Sequence, residues 1–172
     1  MNDSIGMNYC APDANVWAVN LDGRYMSAVQ NYLVADGIPT DGVTKIISNA
    51  AQTLSYCPDP EGIGKCQKTG IVIGKVQSGK TSNFISITAL AFDNDYDIVI
   101  VLGGTKKPLV KQNRDRIKEY FSTAKDVLVL DTTDFKDQLT AQKMHQFRKM
   151  NKKVVIVALK SPTQIKYACK KR

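Results

Sequence analysis

A chain of 172 residues with 43% hydrophobic content is long enough to bury a core of its own and too apolar to be read as disordered. No apolar run approaches the roughly 20 residues that span a bilayer, and the opening MNDSIGMNYC has neither the basic region nor the apolar stretch of a signal peptide, so a cytoplasmic protein is the expectation. The formal charge of +8 is unevenly spread: residues 1–103 carry 6 basic and 10 acidic side chains, residues 104–172 carry 18 and 6. A basic half of that kind attracts a polyanion by counterion release, DNA first, although Lys-rich solvated helix faces give the same count.

The first seventy residues predict an irregular start and two amphipathic helices. Arg24 to about Ala35 places Tyr25, Ala28, Val29, Tyr32 and Leu33 on one face. A second helix, capped near Thr40 or Asp41, places Val43, Ile46, Ile47, Ala50 and Leu54 at helical spacing. Those faces and Trp17 are expected to pack on the next layer, because helically spaced aliphatics usually form core. The stretch from Cys57 to Gly70 is a loop rich in Pro and Gly. It divides a helical extension, 1–69, from a nucleotide-binding core, 70–172.

That core opens on Gly70-Ile71-Val72-Ile73-Gly74-Lys75-Val76-Gln77-Ser78-Gly79-Lys80-Thr81, an apolar strand running into G-x-x-x-x-G-K-T. The spacing is that of a P-loop, which cradles nucleotide phosphates. Gly74 and Gly79 let the loop curl, so that backbone N–H groups from about Gln77 and Ser78 through Thr81 and Ser82 point at phosphate oxygens. Lys80 supplies a mobile charge for the β- and γ-phosphates, Thr81 a hydroxyl for Mg²⁺, and the following helix its positive end. ATP with Mg²⁺ is the expected ligand. No guanine-reading N-K-x-D is present. Lys75 falls at a variable loop position and is expected to be solvated.

Beyond the loop, strand and helix alternate. A helix from Gly79 to about Phe92 precedes a strand at Asp97–Leu102, a helix at Pro108–Phe121 and a strand at Val127–Leu130. A helix at Phe135–Met150 and a strand at Val154–Leu159 follow, and Ser161-Pro162 opens a last helix. The strands are continuous apolar runs, as expected in a parallel sheet with helices on both faces. The fold class is therefore α/β, a three-layer P-loop sheet. Cys10, Cys57, Cys66 and Cys169 form no C-x-x-C pair and read as free thiols. His145, in a polar basic stretch, reads as a surface residue.

P-loop hydrolases also use a carboxylate at the end of an apolar strand to orient Mg²⁺ or its water. Val127-Leu128-Val129-Leu130-Asp131 fits that pattern and makes Asp131 a candidate, whereas Val154–Leu159 runs into Lys160-Ser161-Pro162. Either Asp131 is the metal-side acid, or the acid comes from chain beyond Arg172.

The run Gly74-Lys75-Val76-Gln77-Ser78-Gly79-Lys80-Thr81-Ser82-Asn83-Phe84 resembles the G-x-V-Q-S-G-K-T-x-N-[FY] signature of the Z-one domain family, endonuclease candidates associated with superfamily-two helicase-like ATPases. Ile100-Val101-Leu102-Gly103-Gly104-Thr105, with Leu109, Gln112 and Arg116, is similar to that family's second motif. The resemblance implies a RecA-like, helicase-like fold and makes Gly104, Thr105, Gln112 and Arg116 expected nucleic-acid contacts. It also implies that the acidic, Walker B motif follows a strand later than Val154–Leu159. The expectation is thus the N-terminal part of a longer DNA-directed ATPase of restriction or defence type, with hydrolysis needing downstream elements. A small P-loop kinase using Asp131 and the Arg114/Arg116 pair, and a nucleotide-gated interaction module without turnover, are the competing readings.

Overall fold

Two compact units divide the chain after Asp95 in the computed structural model, which describes residues 16–62, 68–70, 79–131 and 141–162, the backbone alone at 141–143. The expected strand at Ile71–Gly74, the loop residues Gly74 to Ser78, residues 135–140 of the expected long helix and all but Pro162 of the last helix lie outside the described residues.

The first unit contains α1 (Arg24–Ala35), α2 (Thr40–Ser55) and α3 (Lys80–Asp93). Their apolar faces meet in one core: Met26, Val29 and Leu33 of α1, Val43, Ala50 and Leu54 of α2, and Ile85, Ala89, Leu90 and Phe92 of α3 are buried. Each Val, Leu, Ile, Met or Phe side chain among them contributes about 1.5–3 kcal/mol on leaving water. The sequence places α1 and α2 correctly but misses Met26, which is fully covered while Ala28 and Tyr32 are only half-buried. The helix that follows the G-x-x-x-x-G-K-T run packs on α1 and α2, because its middle and end are apolar nearly all round.

The start of α1 is capped from a distance. Its N-cap residue, Gly23, has no side chain to offer, and the Asp93 carboxylate at the end of α3 accepts the N–H groups of Tyr25 (3.1 Å) and Met26 (2.7 Å). A carboxylate is favourable at a helix N-terminus because it meets orphan donors and the positive end of the dipole. The approach depends on the glycine: a Cβ at Gly23 would lie 1.9 Å from Asp93 Cγ. Next to it, Asn94 Nδ2 donates to Leu90 O (2.7 Å) and Asn20 O (2.9 Å), while its Oδ1 accepts from Asn20 N (2.8 Å). The rings of Tyr25 and Phe92 meet edge-on, centroids 5.6 Å apart.

The second unit is a three-stranded sheet with β1 (Ile98–Leu102), β2 (Val127–Asp131) and β3 (Lys153–Ala158), joined through α4 (Lys107–Tyr120) and α5 (Ala141–Lys149). All pairs are parallel and the order is β1-β3-β2, with Ile100 opposite Ile156 and Val129 opposite Val155. An α/β layout with an open parallel sheet is therefore present. The bounds differ from the expected ones by a residue or two. The central strand β3 is buried from Val154 to Ala158. On one sheet face, Val154 and Ile156 pack with Leu128, Leu130 and, from α5, Met144 and Phe147. By register Ile98, Ile100 and Leu102 share that face, yet they remain 43%, 38% and 43% exposed. Among the described residues no helix is long and apolar enough to cross a membrane.

Candidate functional site

In the first unit the described part of the G-x-x-x-x-G-K-T run is its last step into a helix. Gly79 is the N-cap of α3 with φ 72° and ψ 22°, the left-handed region that glycine enters without strain. A Cβ there would meet nothing within 4 Å, so backbone conformation and not crowding calls for the glycine. Gly79 O accepts the Asn83 N–H at 3.0 Å, which closes the first turn. Lys80, Thr81 and Ser82 thus occupy the first three helical positions, whose amides have no intrahelical acceptor. Lys80 is exposed, Thr81 and Ser82 are half-buried, and the first turn carries no acidic residue. These residues fit an anion at the α3 N-terminus and, through the Thr81 hydroxyl, a cation beside it. Gly74, Gln77 and Ser78 lie outside the described residues.

Two atoms on α3 escape any reading of the sequence. Asn83 Oδ1 and Ser86 Oγ are buried without a hydrogen-bond partner among the described residues. Asn83 carries part of the motif resemblance, but nothing in its position along the chain marks it as unsatisfied.

In the second unit, β1 and β3 end side by side at the carboxyl edge of the sheet. Gly103 N–H donates to Ala158 O (2.8 Å), and Lys160 N–H donates to Gly104 O (2.7 Å), so the turn after β1 is tied to the turn after β3. The space at both glycines belongs to α4. Gly103 O accepts from Asn113 Nδ2 (3.0 Å), and a Cβ at Gly103 would lie 3.2 Å from Val157 Cγ1 and 3.4 Å from Val110 Cα. Gly104 has φ +119°, and a Cβ there would lie 3.0 Å from Leu109 Cδ1. Helix packing and backbone conformation thus account for the Gly-Gly pair without a ligand.

Around this turn Thr105, Lys106, Lys107, Lys111, Gln112, Arg116 and Lys160 are exposed. Lys106, Lys107, Lys111 and Lys160 form no ion pair among the described residues. Nothing along the chain marks Lys160 as a neighbour of Thr105. It is 55 residues away in sequence, and only the β1–β3 pairing brings the two turns together.

Asp131 lies at the end of β2, 6% exposed, where its carboxylate accepts a hydrogen bond from Arg114 of α4. Arg114 also reaches Asp115 at 3.1 Å. Burial alone would lower the pKa of the Arg114 guanidinium; the Asp115 hydrogen bond and the charges of Asp131 and Asp115 outweigh it and raise the value. The sheet thereby gives Asp131 a cation from the protein itself. Among the described residues no three His, Cys, Asp or Glu side chains gather as a metal site. Asp97 at the start of β1 is likewise engaged, with Lys153 Nζ at 3.2 Å and Arg148 Nε at 3.0 Å. His145 is exposed on α5, and Cys57 is a half-buried free thiol.

No protein-family model, no curated protein and no solved structure matches this chain.

Proposed function

We propose that the chain is the ATP-binding P-loop part of a cytoplasmic, helicase-like ATPase acting on DNA, of the restriction or defence type that the Z-one resemblance implies. The observation that carries this is the left-handed Gly79 leading directly into a helix that begins Lys80-Thr81-Ser82, at the end of a G-x-x-x-x-G-K-T run. Loop amides and the α3 dipole hold the β- and γ-phosphates of ATP, Lys80 neutralises their charge, and Thr81 ligates Mg²⁺. The DNA side of the reading is supported by the exposed lysines around Thr105, without ion pairs among the described residues, and by the net +12 of residues 104–172. Thr105, Gln112 and Arg116, with Gly104 of the same turn, are its proposed backbone contacts, and Lys160 joins them.

Turnover needs a carboxylate for the metal's water. Asp131 is a poor source because Arg114 already holds it. The carboxylate then belongs to a downstream element or a partner subunit, with an endonuclease function attached there if the resemblance extends so far. The same ion pair counts against a self-contained phosphotransferase. That enzyme would need Asp131 for its metal and Arg114 for its phosphate.

The test is calorimetric titration of ATP with Mg²⁺. Lys80→Ala is expected to weaken binding by about 10–100-fold, the value of a charge-assisted contact of roughly 1.5–3 kcal/mol. Unchanged affinity would remove the phosphate site. Single-turnover hydrolysis with and without DNA separates the motor reading from the phosphotransferase and from a module without turnover. For the DNA contact, log affinity should fall with log salt, and Lys160→Ala should make that slope shallower by about 1.

A further inference from the structure

The turn after β1 does not keep the register of the strand that leads into it. Val154 N–H donates to Asp97 O just before β1, and Gly103 N–H donates to Ala158 O just after it, with Leu102 level with Ala158 between them. In a parallel ladder the next bond lies two residues further along each strand. From Val154 with Asp97, that step reaches Lys160 with Gly103. The acceptor of Lys160 N–H is instead Gly104 O, at 2.7 Å. The pairing therefore slips by one residue, and the extra residue is on the β1 side.

Asn113 takes what the slip leaves over. Gly103 O, the carbonyl that Lys160 N–H passes by, accepts from Asn113 Nδ2 at 3.0 Å. Asn113 is half-buried in the second turn of α4. Both glycines serve this arrangement: a Cβ at Gly103 would lie 3.1 Å from Asn113 Nδ2, and Gly104 turns at φ +119°, which strains any side chain. A backbone carbonyl away from water needs a donor, so the Asn113 amide decides between two arrangements of the same turn. With it, Lys160 pairs with Gly104 and stands beside Thr105. Without it, Lys160 N–H returns to Gly103 O and shifts by one residue, about 3.3 Å along β1. An extra residue at the end of a strand re-aims side chains in this way.

We infer that Asn113 is a positioning residue for the proposed nucleic-acid surface: its amide holds the slipped turn and so presents Lys160 and Thr105 together as one preformed contact for the phosphate backbone. That role rests on the DNA reading of this edge, whereas the slipped turn does not. Asn113 lies outside the motif resemblance and acts through Gly103 O.

Two measurements test the turn and the role separately. Through-hydrogen-bond NMR couplings read the turn without DNA. The wild type should couple Lys160 N to the Gly104 carbonyl carbon; Asn113→Leu, close in size and without a donor, should couple it to that of Gly103. Asn113→Asp gives a second variant of nearly unchanged shape. Ionised, its carboxylate repels Gly103 O; protonated, below about pH 4, its hydroxyl donates and the Gly104 coupling should return, with circular dichroism checking the fold at each pH. DNA titrations read the role. Asn113→Leu and Lys160→Ala should each weaken binding by about threefold to tenfold, and the double variant by no more than the larger of the two, because both lose one contact. A wild-type coupling to Gly103, a folded Asn113→Leu protein that keeps the Gly104 coupling, or additive DNA losses would overturn the inference. A wild type with the Gly104 coupling and no DNA binding would remove the DNA reading, and with it the positioning role, while the slipped turn stands.

Discussion

The helical unit and the sheet unit bury their apolar residues to different degrees of completion. In the first, three helices close on one another, and even helix ends are satisfied inside the unit, α1 by Asp93 and the end of α3 by Asn94. In the second, β3 is buried from Val154 to Ala158, while β1, apolar throughout, is more than a third exposed at Ile98, Ile100 and Leu102. Apolar character alone therefore does not say which segment is core. Among the described strands of the sheet, position within the strand order decides it.

The sharpest way to break this contrast is truncation on both sides of it. Leu33→Ala, at a site with no exposure, is expected to cost about 3–4 kcal/mol in urea unfolding, whereas Leu102→Ala, 43% exposed, should cost about 1 kcal/mol or less. Equal losses would mean that β1 is buried in solution. Gly23→Ala should destabilise by about 2–3 kcal/mol, because the new methyl collides with Asp93. Combining it with Asp93→Ala, itself worth about 1–2 kcal/mol as a lost cap, should give less than the sum, since the contacts to Cγ at 1.9 Å and Oδ1 at 2.2 Å leave with the carboxylate and only the one to Cβ at 2.3 Å remains. Additive losses would separate the glycine from the cap.

In the sheet unit, Asp131→Asn is expected to lower stability by about 1–3 kcal/mol by weakening the Arg114 pair, and to leave Mg²⁺–ATP affinity unaltered. A selective loss of Mg²⁺-dependent affinity would instead make Asp131 a metal residue. The smallest effect is at Cys57. Burial pushes its thiol above the ordinary 9.0, partly offset by the charge of Lys68. A folded-state pKa raised above the unfolded one stabilises fully below pH 9, and that contribution is lost as pH rises through the higher value. The thiol should accordingly react with an alkylating probe at about pH 8 more slowly than a free cysteine, by a few-fold.

Local periodicity is enough to read α1, α2, α4 and the three described strands, because 3.6-residue faces and short apolar runs are properties of neighbouring residues. The same holds for the turn into α3, where G-x-x-x-x-G-K-T requires a flexible residue at Gly79. Met26 and Asp93 are not legible in this way. Met26 lies beside the expected face of α1, yet it is buried once the three helices pack. Asp93 looks like an ordinary helix-end acid until α1 arrives 67 residues away by sequence.

The sequence by itself determined the α/β class, the order of the described elements, the glycine turn into α3 and the basic second half, since each follows from spacing or counting along the chain. Tertiary structure alone decided that α3 packs with α1 and α2, that Lys160 sits against Gly104, that Arg114 takes Asp131, and that β3 rather than β1 is central among the described strands. Those outcomes depend on strand order and on contacts between distant residues, and pairing energy between such residues leaves no mark on local sequence pattern.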